Sequence, residues 1–218
     1  MKVSDILENN DNLPDRATTN VRQVIGKARA VPGHKPMGWG VNAYVYKNAT
    51  PDEMDNVKRI SSTSDPTVAY LLAIHNDSTL HNNPFLPRIH KVNSPGKDIS
   101  EIQMEKLYPL KLPELINDQD QLLMKSLWEQ YFITPYPHQE EHPVLALDSL
   151  SYKLNQAVVN SSYLNINDKQ LIKALKFVKQ FIDNSVHIKL HSDIHNGNLM
   201  WRITGNKPQL VIVDPLLD

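Results

Sequence analysis

The chain predicts an α+β protein in which a β-rich half precedes a helical half. Three observations carry that expectation. Early apolar residues fall in short β-branched and aromatic runs separated by turn residues, the pattern of strands. Near residues 107–111 the period changes, and long stretches with helical spacing follow. The length, 218 residues, suits one ordinary domain or two small lobes.

Taken in order, residues 1–30 read as one or two polar helices. Thr18 or Thr19 opens the second, with Val21, Val24, Ile25 and Ala28 as its apolar stripe. Val31–Gly40 is punctuated by prolines and glycines and reads as connection. Val41–Tyr46 reads as a strand, Asn48–Asp55 as a turn-rich link, and Asn56–Ser61 as a second strand. Asp65-Pro66 opens a helix, because Asp caps well and Pro suits the first turn. Val68, Leu71, Leu72 and His75 are its expected inner face. Pro87–Val92 and Ile99–Leu107 read as two more strands. Leu112–Phe132, Val144–Asn160 and Asn167–Val186 read as helices, the last with Leu171, Leu175, Val178, Phe181 and Ile182 as its stripe. Leu199–Ile203, the turn Thr204-Gly205-Asn206 and Leu210–Val213 read as a hairpin. The expected division is a helical extension over 1–30, a β-rich lobe over 31–108 and a helical lobe over 109–218.

Composition narrows the function classes. Lys plus Arg number 23 against 24 Asp plus Glu, a net charge of −1. A nucleic-acid binder normally carries a basic excess, so nucleic acid is not expected as the main partner. No charged block favours a membrane surface, and no apolar run nears the ~20 residues that span a bilayer. The start, Met1-Lys2-Val3-Ser4-Asp5, lacks the apolar core of a signal peptide. There are no cysteines, which excludes disulfides, thiolate metal sites and cysteine nucleophiles and suits a cytoplasmic setting.

The strongest chemical signal is His191-Ser-Asp193-Ile-His-Asn-Gly-Asn198, with Val211-Ile-Val-Asp214 downstream. Phosphoryl transfer asks for this set. One carboxylate must take or orient the proton of an attacking hydroxyl. An amide oxygen and a second carboxylate must hold magnesium against nucleotide phosphates. Asp193, Asn198 and Asp214 supply these groups. A second signal lies upstream, where Gly38-Trp-Gly40-Val-Asn-Ala43-Tyr-Val45 fits a glycine-rich loop whose backbone amides approach phosphates closely. Lys58, on the next expected strand, can reach the α/β-phosphates.

Plainer roles stand beside these. Asp193, Asn198 and Asp214 also suit turns and caps, Lys58 suits an exposed strand, and Gly38 and Gly40 suit a simple turn. His187, His191 and His195 recur every four residues, a zinc-binding pattern if they share one helix. Trp39 and Trp201 suit either stacking on a base or packing on a strand.

The order of glycine loop, strand lysine, H-x-D-x-x-x-x-N and following Asp resembles the protein-kinase-like phosphotransferases. The early protein kinases of T7-type bacteriophages are the nearest resemblance, carried by Asp193-Ile-His-Asn-Gly-Asn-Leu-Met200, Val213-Asp-Pro215 and Val68-Ala69-Tyr70. It spreads over residues 37–216 and is dense only at the motifs. Aminoglycoside and choline kinases have a similar loop with histidine and glycine. The resemblance implies a bilobal kinase-like fold with ATP and Mg2+ between the lobes. It also implies phosphorylation of serine or threonine hydroxyls on host proteins.

Carried onto this chain, it makes Asp193 the catalytic base and Asn198 and Asp214 the magnesium ligands. Lys58 holds the phosphates, Gly38, Gly40 and Val45 belong to the loop over them, and Glu105 to Leu107 form the adenine hinge. His191 braces the loop. The sequence departs from the family in three places. No acidic residue lies between Asp65 and Asp77 to pair the strand lysine, Asp214 is followed by Pro215-Leu216 rather than Phe-Gly, and only four residues follow Asp214. A minimal, C-terminally truncated kinase-like fold is therefore expected. Two further readings stand beside a protein kinase: a small-molecule kinase of aminoglycoside or choline type, and a non-catalytic pseudokinase that binds and inhibits a host protein.

Overall fold

The computed structural model describes residues 19–39, 43–47, 56–109, 125–126, 128–134, 143–185, 189–204 and 207–217. Gly40, the link at 48–55, most of the helix expected over 112–132, His187 and the turn at 205–206 lie outside the described residues. The described chain is α+β, with a β-rich part first and helices after it. It forms two compact units. Residues up to His75 together with Arg88–Lys106 make the first, and Asn76–Pro87 with the residues from Leu107 onward make the second.

The first unit is built on five antiparallel strands in the order β1-β2-β3-β5-β4. These are β1 (Lys35–Trp39), β2 (Ala43–Lys47), β3 (Asn56–Ser62), β4 (Ile89–Gly96) and β5 (Ile99–Glu105). The strand β1 falls in the stretch read as connection. Pro36 and Gly38 hide it from a propensity argument, and the register with β2 shifts between them. Pro is tolerated at such an edge because its missing N–H faces no neighbour there.

Helix α1 (Thr19–Ala30) buries Val21, Ile25 and Ala28 against Tyr44, Tyr46, Ile60 and Ile99. The expected stripe is thus the real one, and the helix belongs to this unit rather than standing apart as an extension. Full burial of Val21 and Ile25 stabilises the contact by roughly 1.5–3 kcal/mol for each side chain. Helix α2 (Pro66–Asn76) starts where Asp65-Pro66 predicts, and Asp65 Oδ1 accepts the Thr67 N–H at 2.9 Å. Its buried face is Thr67, Val68, Tyr70, Leu71 and Ile74, with Leu72 and His75 half-buried. The stripe is rotated from the expected one because Tyr70 and Ile74, one turn apart, are the larger apolar pair.

The second unit takes in residues 76–87, which the sequence assigned to the first lobe. Arg202 explains the difference. Its guanidinium donates to the carbonyls of Pro84 at 2.9 Å and Leu86 at 3.1 Å, and it is buried. Asn83 Nδ2 donates to Gln170 O and Ile212 N–H to Phe85 O. None of these distant partners is legible from local pattern. The short helix α3 (Ser78–His81) lies in this segment, capped by Asp77.

The helical framework described here is α4 (Pro143–Val159) and α5 (Lys169–Asn184), with Trp128–Tyr131 also helical. Asp168 caps α5 by accepting from Gln170 and Leu171 N–H. Its stripe buries Leu171, Ala174, Leu175 and Val178, while Phe181 and Ile182 are half-buried. Past α4, Ser161 takes φ 51°, and Ser162 N–H bonds Ala157 O while Ser161 N–H bonds Val158 O. That pattern is a Schellman stop, which ordinarily uses glycine. The rest is β6 (Tyr108–Pro109), β7 (His191–Ser192), β8 (Leu199–Thr204), β9 (Lys207–Ile212) and β10 (Leu216–Leu217). β6, β8 and β9 make one small sheet, and β7 pairs with β10. Among the described residues no helix is long and apolar enough to cross a membrane.

Candidate functional site

The motif residues of the second unit come together because two chain segments are tied backbone to backbone. The first runs from β7 through a 3₁₀ turn, Asn196–Asn198, into β8. The second leaves β9 at Ile212 and enters β10 at Leu216. Asp193 N–H donates to Pro215 O at 2.8 Å, and Val213 N–H donates to Asn198 O at 3.0 Å. The two bonds bracket Asp214. Paired strands flank them on either side, with Leu199 opposite Ile212 and Leu216 opposite Ser192. Asp193, Asn198 and Asp214 are all half-buried, whereas Ile194 and Leu199 are buried and pin the segment.

Asn198 is oriented by its neighbour. Its Nδ2 donates to Asp193 O at 2.8 Å and to Asp193 Oδ2 at 3.2 Å. Both partners are acceptors, so the amide nitrogen must face Asp193 and the amide oxygen faces the other way. His195 Nδ1 accepts the Gly197 N–H at 3.0 Å, which places the proton of a neutral ring on Nε2, 3.6 Å from Asp193 Oδ2. Gly197 lets the His195 ring lie close to the turn. A Cβ there would sit 2.7 Å from His195 Cε1.

The sequence did not point to Asn155. Its Oδ1, on α4, accepts from Ser192 Oγ at 2.6 Å and from Ile194 N–H at 3.4 Å. Its only sequence signal is a short polar side chain next to the buried Leu154.

In the first unit the described part of the glycine-rich segment lies on the antiparallel strands β1 and β2. Gly38 pairs across from Val45 and Trp39 from Tyr44. Lys58 pairs with Tyr46 and Ile60 with Tyr44, and paired residues share a sheet face. Lys58 therefore lies on the face that α1 packs against. Arg59 lies on the opposite face, is buried, and makes an ion pair with Asp65 at 2.9 Å. The carboxylate at the cap of α2 is thus paired with Arg59, the cation that follows Lys58 in sequence. At the end of β5, Glu105 N–H bonds Arg88 O and its carboxylate accepts the Arg88 N–H, so its backbone donor is committed within the sheet. Leu107 is buried, and the division of the chain falls between Lys106 and Leu107.

Among the described residues the helical histidine pattern is not formed. His191 is on β7 and His195 on a loop, so they do not line one helix. Trp201 is half-buried on β8, paired with Tyr108 and Leu210, which is strand packing. A magnesium ion needs only one or two protein oxygens when phosphates and water complete its shell. The Asn198 amide oxygen and the Asp214 carboxylate could supply such oxygens, and the Val213–Asn198 bond sets their chain segments side by side.

No family model matches the chain, and no curated protein matches it. Among solved structures it is similar to aminoglycoside phosphotransferase APH(4)-Ia, in a ternary complex with ADP and hygromycin B. That likeness has TM-score 0.38 and 10% identity over 92% of this chain and 73% of that one. It is also similar to APH(2")-IIia in its GDP and kanamycin complex, with TM-score 0.37 and 14% identity over 89% of this chain and 71% of that one.

Proposed function

We propose that the protein is an ATP- and magnesium-dependent phosphotransferase acting on hydroxyl groups. The observation that supports this most is the backbone bracket around Asp214. It joins a base candidate, an amide oxygen and a carboxylate in the combination phosphoryl transfer needs. Asp193 takes the proton of the acceptor hydroxyl as its oxygen attacks the γ-phosphorus. The bond from that phosphorus to the β-phosphate oxygen breaks, and ADP leaves. Asn198 and Asp214 hold magnesium, which supplies positive charge against the phosphates. Asn198 also keeps Asp193 in place through its Nδ2 bonds. Lys58 is assigned to the phosphates, the Gly38–Val45 hairpin to covering them, and Glu105 to Leu107 to the adenine. Catalysis on these terms is positioning and electrostatic stabilisation.

The acceptor is proposed to be a serine or threonine hydroxyl on a host protein, as the motif resemblance implies. A small-molecule hydroxyl is the second reading. It is favoured by the His195–Gly197 turn, because aminoglycoside and choline kinases carry a similar loop. The test is γ-labelled ATP with the purified protein and, in separate arms, a bacterial lysate, an aminoglycoside and choline. Label on protein supports the first acceptor, and label on a small molecule supports the second. Absence of label in every arm, with no magnesium-dependent nucleotide binding, leaves a non-catalytic binding protein and overturns the proposal.

A further inference from the structure

We propose that Asn155 is the positioning residue for Asp193, a role that rests on the phosphotransferase reading above. Asp193 is held on three sides. Its N–H bonds Pro215 O, and its carbonyl and Oδ2 take the Asn198 amide. The third hold is on its two neighbours. One oxygen, Asn155 Oδ1, accepts from Ser192 Oγ at 2.6 Å and from Ile194 N–H at 3.4 Å. Ile194 N–H can only donate, so the amide oxygen, not the nitrogen, must face the loop. Ser192 Oγ–H is then the donor of the shorter bond.

The first two holds come from within the motif segments, which are joined to each other by paired strands. Asn155 is different. It stands on α4, whose Leu150, Leu154 and Val158 are buried in the unit's core. It therefore ties the residues on either side of Asp193 directly to a rigid element, where a site gains precision. Removing it leaves the strands of the motif segments anchored through Arg202 and Ile212, but takes away the side-chain bonds from α4 to the two residues that flank Asp193. A base displaced by about 1 Å can cost about 10²-fold in rate. A displaced base slows the chemical step without weakening nucleotide binding.

Three variants test this in the full-length protein. Asn155→Leu keeps the shape and removes the acceptor. Asn155→Asp keeps an acceptor oxygen at the same place. Ser192→Ala removes the shorter bond from the other side. The readouts are kcat, KM for ATP, and the exchange rate of the Ile194 amide proton. Asn155→Leu is expected to lower kcat by about 10-fold or more, to leave KM for ATP within about twofold, and to speed Ile194 exchange. Asn155→Asp should recover most of the lost kcat, and Ser192→Ala combined with Asn155→Leu should cost less than the two single losses multiplied. A merely structural asparagine would instead lower the unfolding midpoint in step with kcat and give no recovery in Asn155→Asp. That result, or wild-type kcat in Asn155→Leu, overturns the assignment and leaves the phosphotransferase reading standing. Failure of the unaltered protein to transfer phosphate overturns both.

Discussion

Asp65 carries two roles that substitution can separate. Its Oδ2 pairs with the Arg59 guanidinium at 2.9 Å, and its Oδ1 caps α2 through Thr67 N–H at 2.9 Å. Both residues of the pair are buried, with Asp65 5% and Arg59 8% exposed. Asp65→Asn keeps an oxygen for the cap and removes the carboxylate charge that faces the buried Arg59. Breaking a buried pair from one side costs about 3–5 kcal/mol. Asp65→Ala removes the cap as well, worth about 1 kcal/mol more. Replacing both partners, as Asp65→Asn with Arg59→Met, removes both charges of the pair and should cost less than the sum of the singles. The assay is urea unfolding followed by far-ultraviolet circular dichroism, with slopes compared so that only midpoint changes at constant slope are converted to energies. With total stabilities of about 5–15 kcal/mol, a loss of this size is a large fraction. An Asp65→Asn protein within about 1 kcal/mol of the parent, or strict additivity in the double variant, would refute the reasoning.

Three further outcomes follow from the same structure. Lys58→Met should raise KM for ATP, since Lys58 is assigned to the phosphates, and an unchanged KM would contradict that assignment. Gly197→Ala should change stability by less than about 1 kcal/mol, because the ring it meets is an exposed, movable one. It should lower kcat more than stability, since the displaced His195 no longer accepts the turn's N–H. Burial pushes the Tyr131 hydroxyl up to about 12. A raised folded value means its contribution is whole below pH ~10 and is lost as pH climbs towards 12. Alkaline titration of stability should therefore be flatter in Tyr131→Phe than in the parent over that range.

Much of this was legible in the residues. The stripe of α1, the Asp65-Pro66 helix start and the strand over Asn56–Ser61 obey local rules of period and capping, so sequence alone located them. The spacing from Asp193 to Asn198 is set by one short turn, and for that reason a linear motif can describe it. What escaped depends on partners far along the chain. Strand β1 exists through pairing with β2 despite Pro36 and Gly38. Residues 76–87 join the second unit through Arg202, more than a hundred positions away. Lys58 and Arg59 are adjacent in sequence but occupy opposite faces, and a one-residue change of parity reassigns every side chain of a strand. Asn155 acts through a helix-to-loop contact that no spacing rule encodes.

The central claim is that Asp193 works on the acceptor proton while Asp214 works through magnesium. The most direct test is phosphate transfer by Asp193→Asn and Asp214→Asn proteins across a magnesium titration. The account predicts that Asp193→Asn lowers kcat by about 10² or more at every magnesium concentration, with the magnesium requirement unchanged. Asp214→Asn should raise the magnesium concentration needed for half-maximal transfer and recover part of its rate at high magnesium. Wild-type transfer in both variants, or identical magnesium dependence in the two, would contradict it.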